Sequence, residues 1–340
     1  MNEPVDIKIA HINKAGNISK ALNKETVFEI FGKLAPDALA PFYKFQQTWV
    51  NNTYSIFKDF DTYLILMYLK QKVFVNYSDR FHYMSADAFY STDKIAIEKI
   101  NLIQISKSLN IPKETVRRKI NYLQDKEIIF RSGKAIYLNS KALEIVKPKN
   151  TLPMLSIFFE KMSNLLSKED WFGKSIKREN IEQFIKDHFT VCWEYFYRFQ
   201  IPYLTRHRTA FSDLESWNAW GSIAIVQTAA FSEELQKITR EELTNYNDYY
   251  TSLLKFKSKR GINASSISDI SSIPRATVIR KLRAMEKKGF IRRNRKLEYT
   301  LGQAKNLKLF QQNYLINQKN LSDFCTTLFN LMKNSKLKIT

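Results

Sequence analysis

Side chains that can read nucleic-acid bases occur in two separate segments of this 340-residue chain. Arg117, Arg118 and Asn121 lie in the first segment, and Arg280 and Arg283 lie in the second. In the major groove, arginine can bind guanine O6 and N7, and asparagine can bind adenine N6 and N7. We therefore expect these five side chains to reach base edges.

Other side chains in the same segments are suited to phosphate groups. Thr115 and Thr277 stand near the starts of predicted helices, where a hydroxyl can cap the helix or bind a phosphate. Basic residues of a predicted hairpin after each helix would reach phosphates or the minor groove. The complete predicted DNA-binding set is Lys113, Thr115, Arg117, Arg118, Asn121, Arg131, Lys134, Arg275, Thr277, Arg280, Arg283, Arg292, Arg293, Arg295 and Lys296.

The charge of the chain is concentrated in these segments. There are 54 Lys and Arg against 33 Asp and Glu, a net charge of +21, which is typical of proteins with a polyanionic partner. Residues Lys113–Lys134 carry +4 and residues Arg275–Lys296 carry +9, so 44 residues hold 13 of the 21 charges. A solvated helix face usually mixes both signs. We therefore expect double-stranded DNA as the partner.

No constellation typical of an enzyme or a metal site is present. His188 and Cys192 stand four residues apart, but a structural zinc site needs four ligands and no other pair lies nearby. Gly173-Lys174-Ser175 resembles the end of a phosphate-binding loop, but Lys168 stands where the first glycine belongs. We predict that the chain is not an enzyme and has no cofactor.

The lengths of the apolar runs and the number of cysteines indicate where the protein is located. The longest apolar run, Tyr63–Leu69, is far shorter than the 18 or more residues of a membrane span. Two cysteines, Cys192 and Cys325, provide no disulfide framework and suit a reducing compartment. We expect a cytoplasmic protein without a membrane segment.

The basic segments are two copies of one pattern. Ile111–Arg131 and Ile273–Arg293 share Ile-Pro, Thr-Val, Arg-Lys, a later Lys and the final Arg. Upstream, FYKFQ at position 42 matches FYRFQ at position 196, and Tyr54–Tyr63 parallels Phe211–Trp220 at an offset of 157 residues. This ordered set predicts a tandem duplication of a unit of about 150 residues.

Each copy contains the same predicted elements. In the first copy, helix Leu102–Leu109, a turn at Pro112 and helix Lys113–Lys126 precede strands Ile128–Arg131 and Ala135–Leu138. The second copy repeats this order with helices Ile267–Ser271 and Arg275–Lys288, a capping Gly289, and strands Phe290–Arg293 and Leu297–Leu301. Two helices at a tight turn followed by a hairpin form a winged helix-turn-helix.

These elements define the predicted organisation. We expect a mainly α fold in which two winged helix-turn-helix modules, each with a small β-hairpin wing, are joined by a helical, dimer-like core. Residues 1–24 form a basic tail, residues 25–168 the first module (winged helix about 98–140) and residues 169–340 the second (winged helix about 262–302).

The motif in which Ile-Pro and Thr-Val precede Arg-Lys, and Lys-Lys-Gly-Phe-Ile-Arg-Arg follows, resembles the recognition helix and first wing strand of bacterial winged-helix regulators. The order of the flanking helices is similar to the multiple-antibiotic-resistance regulator (MarR-type) family, whose subunits dimerise through terminal helices. The family's Asp-x-Arg in the wing is absent, and segments Asn76–Asp93 and Ser232–Ser258 are inserted before the motifs.

The resemblance implies a sequence-specific transcription regulator. Because both copies lie in one chain, we expect a monomer that acts as a pseudo-dimer on a site with two unequal half-sites. Two alternatives remain open, namely a plasmid-type replication initiator with tandem winged helices and a winged-helix scaffold protein that docks onto other proteins. The acidic residues Glu114, Asp125 and Glu127 make the first copy the better candidate for docking.

One predicted helix is rich in aromatic residues, namely Trp193, Tyr195, Phe196, Tyr197 and Phe199. Consecutive aromatics cover more than one face of a helix, so we expect this segment to be buried between the two copies. Trp217 and Trp220 follow on the next helix. An alternative, which the family resemblance allows, is that these rings line a pocket for a small-molecule effector.

Overall fold

Long α-helices dominate the structure, a computed structural model that describes residues 21–97, 101–132, 135–168, 174–235, 245–256, 260–302 and 307–335. Small antiparallel sheets supply the other regular structure within these ranges. The prediction of a mainly α protein is confirmed.

The first half of the chain begins with long helices and ends with one. Its elements in chain order are α1 (Lys24–Lys33), α2 (Ala35–Phe57), α3 (Phe60–Asp79), α4 (Ala86–Ser91), β1 (Lys94–Ile97), α5 (Leu102–Leu109), α6 (Lys113–Asp125), β2 (Ile129–Ser132), β3 (Ala135–Asn139), α7 (Ser140–Leu143), a 3-10 turn (Glu144–Val146) and α8 (Thr151–Lys168).

The second half follows a closely similar order. Its elements are α9 (Arg178–Asp187), α10 (Phe189–Phe211), α11 (Leu214–Leu235), α12 (Tyr246–Lys255), α13 (Ala264–Ser271), α14 (Arg275–Lys287), β4 (Ile291–Arg293), β5 (Tyr299–Leu301) and α15 (Leu307–Asn334). Helices α9, α10 and α11 each begin 154 residues after α1, α2 and α3, and α13 and α14 begin 162 residues after α5 and α6.

The starts of α3 and α11 are built alike. The Asp59 carboxylate accepts a hydrogen bond from the Thr62 amide at 3.1 Å, which caps α3. The Asp213 carboxylate accepts one from the Ser216 amide at 2.7 Å, at the start of α11. Side-chain oxygens at this position satisfy amides that have no partner within the helix. These equivalent residues are 154 positions apart.

The predicted alignment of Tyr54–Tyr63 with Phe211–Trp220 is therefore wrong by three residues. The structure pairs Tyr63 with Trp217 instead of Trp220. Aromatic residues three apart lie on the same face of a helix. An aromatic pattern read from sequence consequently fits either register, and the position of the helix cap decides between them.

Aromatic rings meet between α2 and α10. Phe42 packs on Phe199 with ring centroids 6.0 Å apart, and Phe45 packs on Phe196 at 6.2 Å. Phe196 lies 154 residues after Phe42, and Phe199 lies 154 residues after Phe45. Exchanging the halves therefore converts one contact into the other. The two contacts therefore have the form of a two-fold symmetric interface, although both sides belong to one chain.

A pair of buried glutamines lies at the centre of this interface. Gln46 Nε2 donates to Gln200 Oε1 at 3.0 Å, and Gln200 Nε2 donates to Gln46 Oε1 at 2.7 Å. The two residues are 154 positions apart and are 3% and 0% exposed. Each amide satisfies the other, which a buried polar group requires to avoid a desolvation cost.

The aromatic residues of α10 are buried as predicted. Trp193, Phe196, Tyr197 and Phe199 are buried, and Tyr195 is half-buried beneath the guanidinium of Arg198. Aromatic side chains bury a large apolar area, so this helix contributes strongly to the core. The predicted burial of this segment between the halves is confirmed.

The C-terminal helices of the halves close the core on both sides. Phe158 of α8 stacks on Phe45 at 5.7 Å, and Phe324 of α15 stacks on Phe199 at 5.4 Å. The sequence predicts an amphipathic helix at the end of each half, over Leu155–Leu166 and Leu321–Met332, and both helices are longer than these segments. The turns outside those segments also contain apolar residues, among them Leu152 in α8 and Leu315 in α15.

Packing against the core begins inside the segment predicted as a basic tail, residues 1–24. Residues 1–20 lie outside the described residues. Leu22 is buried, and its backbone exchanges two hydrogen bonds with the side chain of Asn330, both at 2.9 Å. Asn23 caps α1. Residues 21–24 thus belong to the helical body.

A strand that the sequence did not reveal completes the first sheet. β1 pairs antiparallel with β3, which also pairs with β2, in the order β1-β3-β2. Ile95 and Ile97 point inward and are buried. In the second half β4 pairs with β5, and Ile262 forms a single bridge to Tyr299 where a third strand would lie.

The glutamine pair yields a stability prediction. Gln46→Ala should lower the free energy of unfolding by about 1–3 kcal/mol, because Gln200 is left buried without a partner. The double variant Gln46→Met/Gln200→Met should lose less, since no unsatisfied amide remains. Urea unfolding of both variants measures the difference. A double variant less stable than Gln46→Ala would contradict this account.

Candidate nucleic-acid interface

The segment from α5 to α6 is shaped by local hydrogen bonds. Asn101 caps α5 by accepting from the Gln104 amide at 2.8 Å, and Asn110 ends the helix in the left-handed region with φ of 52°. Ser106 Oγ donates to the Ile111 carbonyl at 2.6 Å, which holds the turn against the helix. Pro112 then starts α6.

The segment from α13 to α14 has the same construction. Asn263 caps α13 through the Ser266 amide at 2.9 Å, and Ser272 ends it with φ of 58°. Ser268 Oγ donates to the Ile273 carbonyl at 2.7 Å. The two turns therefore share two equivalent hydrogen bonds and one left-handed residue, each 162 residues apart.

Apolar stripes orient α6 and α14. The buried residues are Val116, Ile120 and Leu123 on α6, and Val278, Leu282 and Met285 on α14. With these positions inward, the opposite face of each helix is exposed. After α14, Gly289 has φ of 74°, as predicted for a glycine that ends a helix.

The exposed faces carry the predicted basic residues. Arg275, Arg280 and Arg283 on α14 are exposed, and so are Lys113, Arg117, Arg118 and Asn121 on α6. Thr115 and Thr277 are half-buried in the first turns of these helices. Each helix thus presents a polar, mainly cationic face to solvent.

The hairpin after α14 extends this cationic surface. Its exposed basic residues are Arg292, Arg293, Arg295 and Lys296. Asn294 shapes the tip, because its side chain accepts from the amides of Lys296 at 2.9 Å and Glu298 at 3.0 Å. Leu297, predicted as the start of the second strand, lies at the tip instead, 62% exposed with φ of 60°.

The first hairpin contains the predicted residues Arg131 and Lys134. Arg131 lies in β2, where its backbone pairs with Ile136. Lys134 lies outside the described residues. Of the fifteen predicted residues, the structure thus shows the side-chain exposure of thirteen.

Ion pairs fix α6 and α14 to the helices behind them. Lys119 Nζ lies 2.6 Å from Asp59 Oδ2, and Lys281 Nζ lies 2.5 Å from Asp213 Oδ2. Each aspartate is also the cap of α3 or α11. The sequence predictions missed these anchors, although Lys119 and Lys281 occupy the same position in both copies.

The pKa of Asp213 is below its usual range. Burial raises this pKa, but hydrogen bonds from Lys281 and the Ser216 amide lower it by more. The carboxylate is therefore held in its charged form at neutral pH. This favours a permanent link between α11 and α14.

Each turn also contacts the long helix of the other half. Arg208 of α10 binds the Asp61 carboxylate through two nitrogens, at 2.8 and 3.1 Å, and the Asn110 carbonyl at 2.7 Å. Asn51 of α2 donates to the Ile270 carbonyl. The core between α2 and α10 thus determines how far apart α6 and α14 lie.

The two exposed faces differ in charge. Arg117 on α6 binds the Glu114 carboxylate, with Nη2 at 2.6 Å and Nε at 3.0 Å. The first turn of α14 contains no acidic residue. The sequence placed Glu114 near the predicted DNA-binding residues but did not show that Glu114 forms an ion pair with Arg117.

The remaining candidate chemistry is not assembled into a site. His188 is exposed between α9 and α10, whereas Cys192 is buried, which raises the pKa of its thiol. Within the described residues, no three His, Cys, Asp or Glu side chains are close enough to share a metal ion. Gly173 lies outside those residues.

No helix in the described part of the chain combines the length and the apolar character needed to cross a membrane. Comparisons with known proteins found no matching family model, no matching curated protein and no matching solved structure. The geometry of the basic faces therefore carries the functional argument.

The Asp213 anchor makes stability depend on pH. Because the pKa of Asp213 is lower in the folded chain, its charge stabilises the fold above the unfolded pKa, and this contribution is lost as the pH falls through the folded pKa. Asp213→Asn should cost about 1 kcal/mol at neutral pH. It should also lose less stability than the wild type between about pH 7 and about pH 3.

Urea unfolding across this pH range checks the prediction. Asp187→Asn, at an exposed carboxylate on α9, is the matched control and should follow the wild type. Parallel pH profiles for the wild type and Asp213→Asn would show that the anchor contributes nothing.

Proposed function

We propose that this chain is a sequence-specific, double-stranded DNA-binding transcription regulator that acts as a single-chain pseudo-dimer. In this proposal α5–α6 and α13–α14, with their hairpins, are two winged helix-turn-helix modules. The observation that carries it is the exposed cationic face of α14, continued by the basic hairpin beside it.

The chemistry of this face matches a duplex. A helix of this kind fits the major groove, where arginine donates to guanine O6 and N7. Arg280 and Arg283 lie in the middle of α14, exposed and opposite its buried stripe. Arg295 and Lys296 at the hairpin tip suit phosphates or the minor groove beside the helix.

The halves support an arrangement with two recognition helices. Contacts at the α2–α10 interface recur with the halves exchanged, and the helix anchors Asp59–Lys119 and Asp213–Lys281 are equivalent. A tandem duplication accounts for both facts. Because the halves differ in charge, the DNA site has two unequal half-sites, with the stronger one under α14.

A second candidate role concerns the first module alone. The Glu114–Arg117 pair reduces the cationic character of α6, and Asp125 and Glu127 lie exposed at its end. A mixed face of this kind suits a protein partner. In this version α14 holds the DNA and α6 docks onto a protein.

Selection from a random duplex library, at low and at physiological salt, tests the proposal. We expect an asymmetric motif that survives the higher salt, with log K falling by about 0.9 per neutralised phosphate for each log unit of salt. Equal enrichment of all sequences at low salt, with no motif at physiological salt, would refute specific regulation and favour nonspecific binding.

Two alanine variants then test whether Arg280 and Arg283 contact bases. Arg280→Ala and Arg283→Ala should each cost about 1–3 kcal/mol on the selected site and relax the preference at one base pair. Arg80→Ala removes an exposed arginine at the end of α3 and is the charge-matched control. A uniform loss across sequences would instead make Arg280 and Arg283 phosphate contacts.

Glu114, at the start of α6, gives an opposite prediction. Glu114→Ala should tighten DNA binding several-fold, because it removes a negative charge from the interface and releases Arg117. The effect should fall on the weaker half-site in footprinting. Glu179→Ala, which breaks an exposed Arg178 pair on α9, should leave DNA affinity unchanged. Weaker DNA binding by Glu114→Ala would instead indicate that Glu114 itself contacts a base.

A further inference from the structure

A cavity of about 110 Å³ lies beside α11, bordered by α2, α10, α12, α15 and β5. Aromatic rings form much of its wall, among them Phe42, Tyr203, Trp217, Trp220 and Tyr250. A single water needs only about 10–15 Å³. The space is therefore large enough for a small organic molecule.

The wall of the cavity carries no formal charge. Its lining residues include no Asp, Glu, Lys or Arg. The one titratable base is His207, whose pKa is lowered to about 3 by burial and by the neighbouring Arg206. At neutral pH this imidazole is uncharged, and it stacks on Trp217 with centroids 4.8 Å apart. The adjacent cation, Arg206, is not a lining residue and binds Asn317 Oδ1 at 2.8 Å, so a charged ligand would find no counter-charge in the wall itself.

Two polar atoms in the wall are buried without a partner. Among the residues that the structure describes, Gln318 Oε1 and the Tyr314 hydroxyl have no hydrogen-bond partner, and their residues are 1% and 8% exposed. Both residues line the cavity. Such groups are rare because an unmade buried hydrogen bond is costly. A ligand with an N–H or O–H donor would satisfy the amide oxygen if the Gln318 side chain turned toward the cavity.

The corresponding place in the first half is filled. In the shared register of α3 and α11, Lys70 stands where α11 has Ala224. The Lys70 side chain is 2% exposed, and its Nζ donates to the Tyr90 hydroxyl at 3.3 Å. It also lies over the ring of Tyr197, which corresponds to the cavity residue Tyr43.

Two further positions show the same contrast. Met67 and Phe74 of α3 correspond to Gly221 and Thr228 of α11, both in the cavity wall. The large residues of α3 occupy space that the small residues of α11 leave open. The difference between the halves thus removes side-chain volume at three positions along one helix.

We propose that this cavity binds one small, neutral aromatic molecule per chain, with a hydrogen-bond donor directed at Gln318. The rings supply apolar contact, and the two unpartnered atoms orient the polar end of the ligand. The proposal does not depend on DNA binding, and its test uses the full chain without DNA.

Three probes of the same shape test the charge selectivity. Benzamide is neutral and has amide donors, whereas benzoate is its anionic and benzamidine its cationic counterpart. Saturation-transfer NMR and intrinsic tryptophan fluorescence, to which Trp217 and Trp220 contribute two of the five indoles, report binding. We expect saturable binding of benzamide and at least about tenfold weaker binding of both charged probes. Absence of saturable benzamide binding, or equal binding of all three, would overturn the proposal.

Variants place the probe in the cavity. Ala224→Leu fills the space and should weaken benzamide binding at least about tenfold, whereas Ala229→Leu, at an exposed position on the same helix, should not. Circular dichroism confirms that each variant is folded. Undiminished binding to folded Ala224→Leu would contradict the assignment.

Discussion

Burial of aromatic rings between α2 and α10, around the glutamine pair Gln46–Gln200, is the interaction on which the other features depend. These two helices form the core, and they also provide Arg208 and Asn51, which hold the turns before α6 and α14. The core therefore sets the positions of the two basic faces. A change at this interface would alter the distance between them as well as the stability of the fold.

Covalent linkage of the halves explains how they can differ. In a symmetric homodimer every substitution appears twice, so both subunits present the same surface. In a single chain each half varies independently while the shared interface is kept. The anchors Asp59–Lys119 and Asp213–Lys281 are retained in both halves. The exposed faces of α6 and α14 have diverged, as the Glu114–Arg117 pair shows.

The same divergence is visible inside the protein. Lys70 is buried in the first half with its amine among tyrosine side chains, and burial lowers the pKa of Lys70 to about 7. Its counterpart Ala224 lines an open cavity. A desolvated amine is costly for stability, whereas a cavity loses packing contacts. The equivalent space beside the core is thus filled by a buried amine in the first half and left open in the second.

The sequence by itself determined α5, α6 and α14, because their signals are local. The apolar stripe Val278, Leu282 and Met285, and Gly289 after it, predict the bounds of α14 to within a residue. Tertiary structure alone decided the pairing of β1 with β3 and the register of α3 against α11. It also decided the ion pair between Glu114 and Arg117 and the cavity beside Ala224. Apart from the Glu114–Arg117 pair, which depends on the choice of side-chain rotamers, these features join residues distant in sequence. Their existence depends on how whole helices pack and not on any local pattern.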